Sequence, residues 1–270
     1  MPTEKSAPAH ATGALLLCRA EPDDVALVAG LLGEPMPLVR AGARWSALVP
    51  EGRPWRDGGE PVDRVATGWA AALAVGAPWP VLALWWDADR AGYTLASGFR
   101  RPVGYVWLAN GTPAGEDEAM RTFAARLGLD PVLDLESLEL LTRPDPEIGA
   151  CARMRGLIAV LTRAGVSLPA GLDPGEPADR LRERARALPG ARRTAGTVRG
   201  RDAARLAVRP PGAHGPAGRA LAVAEVVAGA PLLAWGARHR SGGWTAAGAL
   251  LAVHGTSLLV RAGTRTAPFA

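Results

Sequence analysis

Proline interrupts the longest apolar run of this chain and thereby limits what that run can form. Uncharged residues extend from Thr67 to Trp86, a length that would cross a bilayer as a single helix. Pro78 and Pro80 lie inside the run, and neither fits the interior of an α-helix. We therefore expect a helix that ends before the prolines, followed by a buried strand at Val81–Trp86.

Two later apolar stretches raise the same question near the end of the sequence. Ala220–Gly236 and Trp244–Val260 each carry one ionisable residue, and Pro231 lies within the first of them. Because much of their apolar character comes from alanine and glycine, we expect strands of a folded body rather than lipid-facing helices. The alternative is a membrane-associated protein with a spanning hairpin over Ala220–Val260.

The composition favours a folded protein with a sizeable core. The chain has 270 residues, 48% of them apolar, which suits one large domain or two small ones. Cys18 and Cys151 are far apart and give no disulfide framework, so we expect a reducing compartment, the cytoplasm. The net charge of +5 permits an anionic partner without requiring one.

The first part of the chain predicts a mixed sheet with helices on at least one face. Its pattern is β-α-β-α-β-β-β, and the links Asp87–Gly92 and Arg100–Pro102 are short enough for hairpins. The predicted strands are Ala14–Cys18, Trp45–Val49, Val81–Trp86, Tyr93–Phe99 and Val103–Leu108, and the predicted helices are Asp23–Leu32 and Asp63–Val75.

The middle of the chain predicts helices, and the sequence as a whole divides into four parts. The predicted helices here are Glu116–Leu127, Leu133–Leu141, Ile148–Ala164 and Ala178–Leu188. We expect a disordered tail at 1–12, an α/β lobe at 13–112, a helical segment at 113–190 and a second α/β lobe at 191–270. The expected class is α/β in the broad sense that includes α+β.

The two ends of the sequence resemble each other weakly, which suggests an internal duplication. Gly76-Ala77-Pro78 and Gly229-Ala230-Pro231 each follow a predicted helix and precede an apolar run. A polar turn comes next, and then Tyr93-Thr94 in the first copy and Trp244-Thr245 in the second. Two β-α-β-α-β-β-β units would explain this order. Coincidence in a background rich in alanine, glycine and arginine is the alternative.

Two carboxylates that follow the strand Val81–Trp86 are the weak candidates for catalysis. Asp87 and Asp89 offer oxygen ligands for Mg²⁺ or Mn²⁺, which would make the protein a metal-dependent enzyme. The same residues have the composition of a hairpin tip, and we favour the turn. The corresponding tip in the proposed second copy carries Arg238 and Arg240, so the two tips have opposite charge.

No other stretch carries a specific catalytic, cofactor or metal signature. The four histidines show no metal-ligand spacing, and no serine lies in a nucleophile motif. Glycine-rich phosphate loops are missing from the sequence. Cys18 adjoins Arg19, which could lower a thiol pKa, but its apolar strand favours a buried structural role. We predict no cofactor and no metal site.

Arginine is concentrated after residue 153, and this basic region is the candidate for nucleic-acid binding. Arginines that neutralised phosphates would give a salt-dependent affinity. Acidic residues interrupt the region and aromatic residues are missing from it, which favours an ordinary solvated surface. The preceding segment, Gly115–Glu147, is acidic, so the two regions could also bind each other within or between chains. The nucleic-acid candidates are Arg182, Arg186, Arg192 and Arg193.

Tryptophan supplies the remaining candidates. Trp85 and Trp86 are adjacent on a predicted strand, so their side chains should face opposite sides of the sheet. Trp55 lies in the polar loop Glu51–Glu60, where core packing and partner contact are equally open. By elimination, we expect a non-catalytic binding or scaffold protein that associates with another protein or with itself. Its predicted contact residues are Trp55, Arg90, Arg238 and Arg240.

Overall fold

The computed structural model describes residues 12–52, 54–57 and 59–194, together with four single positions of helical backbone, Ala234, Arg238, Ala252 and Thr256. Residues 1–11 of the predicted tail lie outside the described residues. Apart from the four single positions, the same holds for 195–270, and therefore for most of the predicted second lobe, the second copy of the duplication and the possible spanning hairpin.

The described strands form one seven-stranded antiparallel sheet in the order β6-β5-β4-β1-β3-β2-β7, which confirms the α+β class. The strands are β1 Gly13–Cys18, β2 Pro37–Arg40, β3 Ser46–Leu48, β4 Val81–Trp86, β5 Arg90–Ala96, β6 Val103–Leu108 and β7 Arg192–Arg193. The sequence predicted a mixed sheet because it did not reveal β2. This extra strand reverses the chain, so β3 runs antiparallel to β1.

The helices, α2 apart, lie close to their predicted positions: α1 Pro22–Ala29, α2 Pro54–Asp57, α3 Val62–Val75, α4 Asp117–Leu127, α5 Leu133–Leu140, α6 Ala150–Leu161 and α7 Ala178–Ala187. α4 ends at Gly128, whose φ of 64° is the left-handed conformation that favours glycine at a helix C-terminus. α2 falls in the predicted loop Glu51–Glu60. β5 begins at Arg90 rather than Tyr93 because the hairpin tip closes tightly.

The centre of the sheet separates two apolar layers. β1 and β4 bury every one of their residues, and their side chains alternate between the two faces. α1 and α3 pack on one layer, while α4, α5, α6 and α7 contribute to the other. Trp85 lies in the α1–α3 layer and Trp86 in the opposite one, which confirms that they face opposite sides.

The run Thr67–Trp86 has the structure that its prolines predict. α3 ends at Val75, the prolines follow in an irregular segment, and β4 then begins at Val81. Within the described ranges, no helix combines the length and the apolar character needed to cross a membrane.

Candidate functional site

The two weak catalytic candidates, Asp87 and Asp89, lie at the tip of the β4–β5 hairpin. Asp87 Oδ1 accepts hydrogen bonds from the backbone N–H groups of Asp89 and Arg90, each at 2.9 Å, and these bonds close the turn. In the described part of the chain, no three histidine, cysteine, aspartate or glutamate side chains lie close enough to share a metal ion. Asp87 therefore acts in the turn, and metal-dependent catalysis by Asp87 and Asp89 stays a prediction.

Two of the predicted contact residues make internal contacts. Arg90 Nη2 donates to Asp63 Oδ1 at 3.0 Å, and its guanidinium carbon lies 5.3 Å from the centre of the Trp85 ring. Trp55 is half-buried on α2 and packs edge-on against Trp69, with 6.2 Å between ring centres. Trp55 thus packs against the apolar layer beside α3. Of the two roles considered for Trp55, core packing and partner contact, this contact corresponds to core packing.

The other two predicted contact residues belong to the proposed second copy. Arg238 is exposed and has helical backbone, whereas Arg240 lies outside the described residues. Their role in partner contact stays a prediction.

Three arginines of the predicted nucleic-acid region converge on one glutamate, and we call Glu51, Arg182, Arg186 and Arg193 the Glu51 cluster. Arg186 donates through Nε and Nη2 to Oε1, at 2.9 and 2.7 Å. Arg193 donates in the same way to Oε2, at 3.0 and 2.6 Å. Arg182 donates to the backbone carbonyl of Glu51. The cluster therefore ties α7 and β7 to the segment that follows β3.

Burial and charge act in opposite directions on Glu51. Its side chain is only 7% exposed, and burial alone would raise the pKa of the carboxyl group. The hydrogen bonds and charges of Arg186 and Arg193 outweigh burial and hold this pKa below its usual value. Arg192 pairs with Asp23, so all four nucleic-acid candidates have partners within the protein. Binding of DNA or RNA by these residues stays a prediction.

Sequence reasoning missed a strip of exposed apolar side chains on α5 and on the residue that precedes it. Val132 is 68% exposed, Leu133 is 63% exposed and Leu140 is 52% exposed; we call these three residues the α5 surface. Leu133 and Leu140 are seven positions apart, two turns along one side of the helix. The signal was present in the sequence, because LDLESLEL distributes leucine around the whole helix. Such a helix cannot bury all of its leucines against a single neighbour.

A buried arginine fixes the chain where α5 ends. Arg153 is 1% exposed and donates to the carbonyl oxygens of Leu141, Asp145 and Ile148. Leu141 lies at the C-terminus of α5, where backbone carbonyls are free and the helix dipole is negative. Arg153 therefore secures this end of α5 and the loop that joins it to α6.

The other end of α5 is held by two aspartates. Asp130 Oδ1 accepts from the backbone N–H groups of Val132 and Leu133 at 2.8 Å, which caps the helix start. Asp134 is buried, pairs with Arg163 and accepts from the backbone N–H of Asp130 at 2.8 Å. The backbone hydrogen bonds from Leu133 and Val132 lower the pKa of Asp130, so its carboxylate is ionised.

A cleft opens beside this end of α5. Its volume is about 380 Å³. It lies between Arg19, which follows β1, the turn that joins α4 to α5, and the residues at the end of α6. Its size falls within the range of small-molecule sites. Its charged lining consists of Arg19, Asp130, Asp134 and Arg163, and its apolar lining includes Leu127, Leu129, Leu133 and Ala164.

Both cysteines are free and buried, as expected of structural residues. Burial raises the pKa of the Cys18 thiol and also that of the Cys151 thiol. Neither side chain therefore has the lowered pKa that marks a reactive thiolate.

No protein-family model, curated protein or solved structure matches this chain. Its function must therefore be inferred from its own residues.

Proposed function

We propose that this chain is a non-catalytic binding protein that holds a partner protein on its α5 surface. The exposure of Val132 and Leu133 side by side is the observation that supports the proposal most directly. Large apolar side chains in water are unfavourable, and a partner that covers them removes that cost. Leu140, two turns further along, extends the strip by about 10 Å.

The charges around the α5 surface indicate the chemistry of the partner. Asp130 lies before the strip and Glu136 lies between its two leucines, and both residues are exposed. Glu139, next to Leu140, is partly exposed and already has Arg121 Nε 3.9 Å from its Oε1. Basic side chains at the edges of the contact would be attracted, while acidic ones would be repelled. We therefore assign the partner as a helical segment whose leucine-like side chains are flanked by arginine or lysine.

The anchoring of α5 supports binding rather than local disorder. Arg153 holds its C-terminal end and Asp130 caps its start, so the apolar strip is positioned before a partner arrives. A surface that is already ordered loses less conformational entropy on binding. The two free cysteines support a reducing compartment, which we propose is the cytoplasm.

A pair of designed peptides tests the proposal with the full chain. The first is a labelled 14-residue peptide with leucine at every third or fourth position and arginine between them, and the second has glutamate in place of each arginine. We expect the arginine peptide to bind with a micromolar dissociation constant, measured by fluorescence anisotropy, and to bind more weakly as salt rises. We expect the glutamate peptide to bind at least tenfold more weakly. Equal affinity for the two peptides would reject the assigned partner.

A second copy of this chain is the competing occupant of the α5 surface. Self-association can be measured on the same protein samples. Light scattering over a range of concentrations should show a constant mass for the wild type. A concentration-dependent dimer that disappears in V132S/L133S would mean that a second copy covers the α5 surface, and the assigned partner would be wrong.

A further inference from the structure

The cleft beside α5 contains an arginine, Arg19, that has no carboxylate partner in the described part of the chain. Arg19 follows β1 directly and is half-buried. Its Nη1 donates to the carbonyl oxygen of Leu127 at 2.8 Å, and its guanidinium carbon lies 6.0 Å from the centre of the Trp45 ring. Among the residues that the structure describes, no carboxylate lies within 4.0 Å of this guanidinium. Arg19 therefore presents a positive charge to the cleft with most of its N–H groups available.

The second arginine of the cleft differs because its charge is already matched. Arg163 donates through Nε to Asp134 and through Nη2 to Ser137 Oγ at 3.2 Å. Asp134 is buried and belongs to this pair. Of the two arginines in the cleft, Arg19 is therefore the one without a carboxylate partner among the described residues, and its planar guanidinium can pair with one carboxylate.

The remaining lining limits the kind of anion. Leu133 lines the cleft with an exposed apolar side chain, whereas Leu127 and Leu129 are buried and offer a ligand little surface. The cleft therefore suits a short hydrocarbon group. The ionised Asp130 and the carboxylate of Asp134 lie in the same cleft and repel a dianion more strongly than a monoanion. A phosphate group is therefore a poorer match than a single carboxylate.

We propose that this cleft binds a small monocarboxylate whose carboxylate lies on Arg19 and whose short hydrocarbon chain packs against Leu133. The site is separate from the proposed protein-binding function and shares only Leu133 with the α5 surface. A small acid would thus be a second ligand of the protein.

Isothermal titration calorimetry of the full chain with 4-methylpentanoate tests the site. We expect saturable binding with one ligand per chain and a dissociation constant at or below the millimolar range. The matched neutral compound, 4-methylpentanamide, should bind at least tenfold more weakly because it lacks the charge. Inorganic phosphate should also bind more weakly. The absence of 4-methylpentanoate binding to the wild type, or tighter binding of phosphate or of the amide, would overturn the proposal.

Variants of Arg19 locate the binding. Arg19→Gln should weaken 4-methylpentanoate binding at least tenfold, and Arg19→Lys should weaken it less because lysine keeps the charge but loses the planar fork. Arg155→Gln changes an exposed arginine of α6 that does not line the cleft, so its affinity should equal that of the wild type. Thermal unfolding of each variant checks that it is folded. Unchanged affinity in a folded Arg19→Gln variant would reject the site, while peptide binding by that same variant would leave the proposed function standing.

Discussion

The α7–β7 end and the α5 end of the molecule differ in what they leave exposed. At the α7–β7 end, the arginines that look most available in the sequence are bound to Glu51 and Asp23. At the α5 end, an arginine is buried against backbone carbonyls, and leucine and valine side chains remain exposed. The candidate arginines have internal partners at the first end, and apolar side chains are exposed at the second.

This difference teaches that arginine density alone does not identify a binding surface. Arg186 and Arg193 are each more than half exposed, yet their guanidinium groups are committed to one buried carboxylate. Arg19, a single arginine outside the basic region, has no such partner among the described residues. The partner of each charge, rather than the number of charges, separates structural arginines from available ones.

The largest expected effect concerns the buried arginine of the α5 end. Arg153→Met should lower the free energy of unfolding by about 4 kcal/mol, because it removes three charge-assisted hydrogen bonds from a buried guanidinium to backbone carbonyls between α5 and α6. Urea unfolding measures the change. The exposed Arg155→Met on the same helix should cost no more than about 0.5 kcal/mol. Equal effects of the two variants would mean that Arg153 does not secure this end.

The second effect concerns the Glu51 cluster. Replacing both Arg186 and Arg193 with glutamine leaves a buried carboxylate without a cation, and should cost about 3 kcal/mol of unfolding free energy. The control is Arg180→Gln with Arg184→Gln, two exposed arginines of the same helix, which should cost about 0.5 kcal/mol or less. A double replacement at Arg186 and Arg193 as mild as its control would show that the cluster is an ordinary exposed ion pair.

A smaller effect follows from changing the glutamate itself. Glu51→Gln leaves two arginines that can turn to water, so at pH 7 it should cost only about 1 kcal/mol. The pKa of Glu51 is lower in the folded state than its usual value of 4.5. The ionised carboxylate therefore stabilises the folded protein at every pH above that usual pKa. This stabilisation is lost as the pH falls through the lowered folded pKa. The wild type and Glu51→Gln should therefore converge in urea stability at acidic pH. A difference in unfolding free energy that persists between the two proteins at acidic pH would contradict the lowered pKa of Glu51.

The smallest effect on stability should come from the α5 surface. V132S/L133S replaces side chains that already contact water, so its unfolding free energy should stay within about 0.5 kcal/mol of the wild type. Urea unfolding provides the measurement. A loss of several kcal/mol would mean that these side chains are part of the core, and the proposed binding surface would be wrong.

The fold was largely predictable where the residues of an element carry their own signal. The prolines after α3, the apolar run of β4 and the short hairpin links gave helices and strands near their observed positions. β2 was missed because Pro37–Arg40 is four residues long and begins with proline, so it offers little periodicity. That one omission changed the expected sheet from antiparallel to mixed.

The candidate sites were less predictable because they depend on contacts between distant residues. Glu51 and Arg186 are 135 positions apart, and nothing local to either residue indicates that they meet. Arg19 and Leu127 are 108 positions apart and come together only in the folded chain. The α5 surface is the exception, since its leucines point around the whole helix and could have been recognised from their spacing.

The contrast between the two ends is tested most directly by one binding measurement on two variants. The labelled arginine–leucine peptide is titrated in parallel into V132S/L133S at the α5 end and R180Q/R184Q at the α7 end. We expect the α5 variant to lose at least tenfold in affinity and the α7 variant to match the wild type. Unchanged peptide affinity in V132S/L133S together with weakened affinity in R180Q/R184Q would place the binding surface at the α7–β7 end and contradict the proposal.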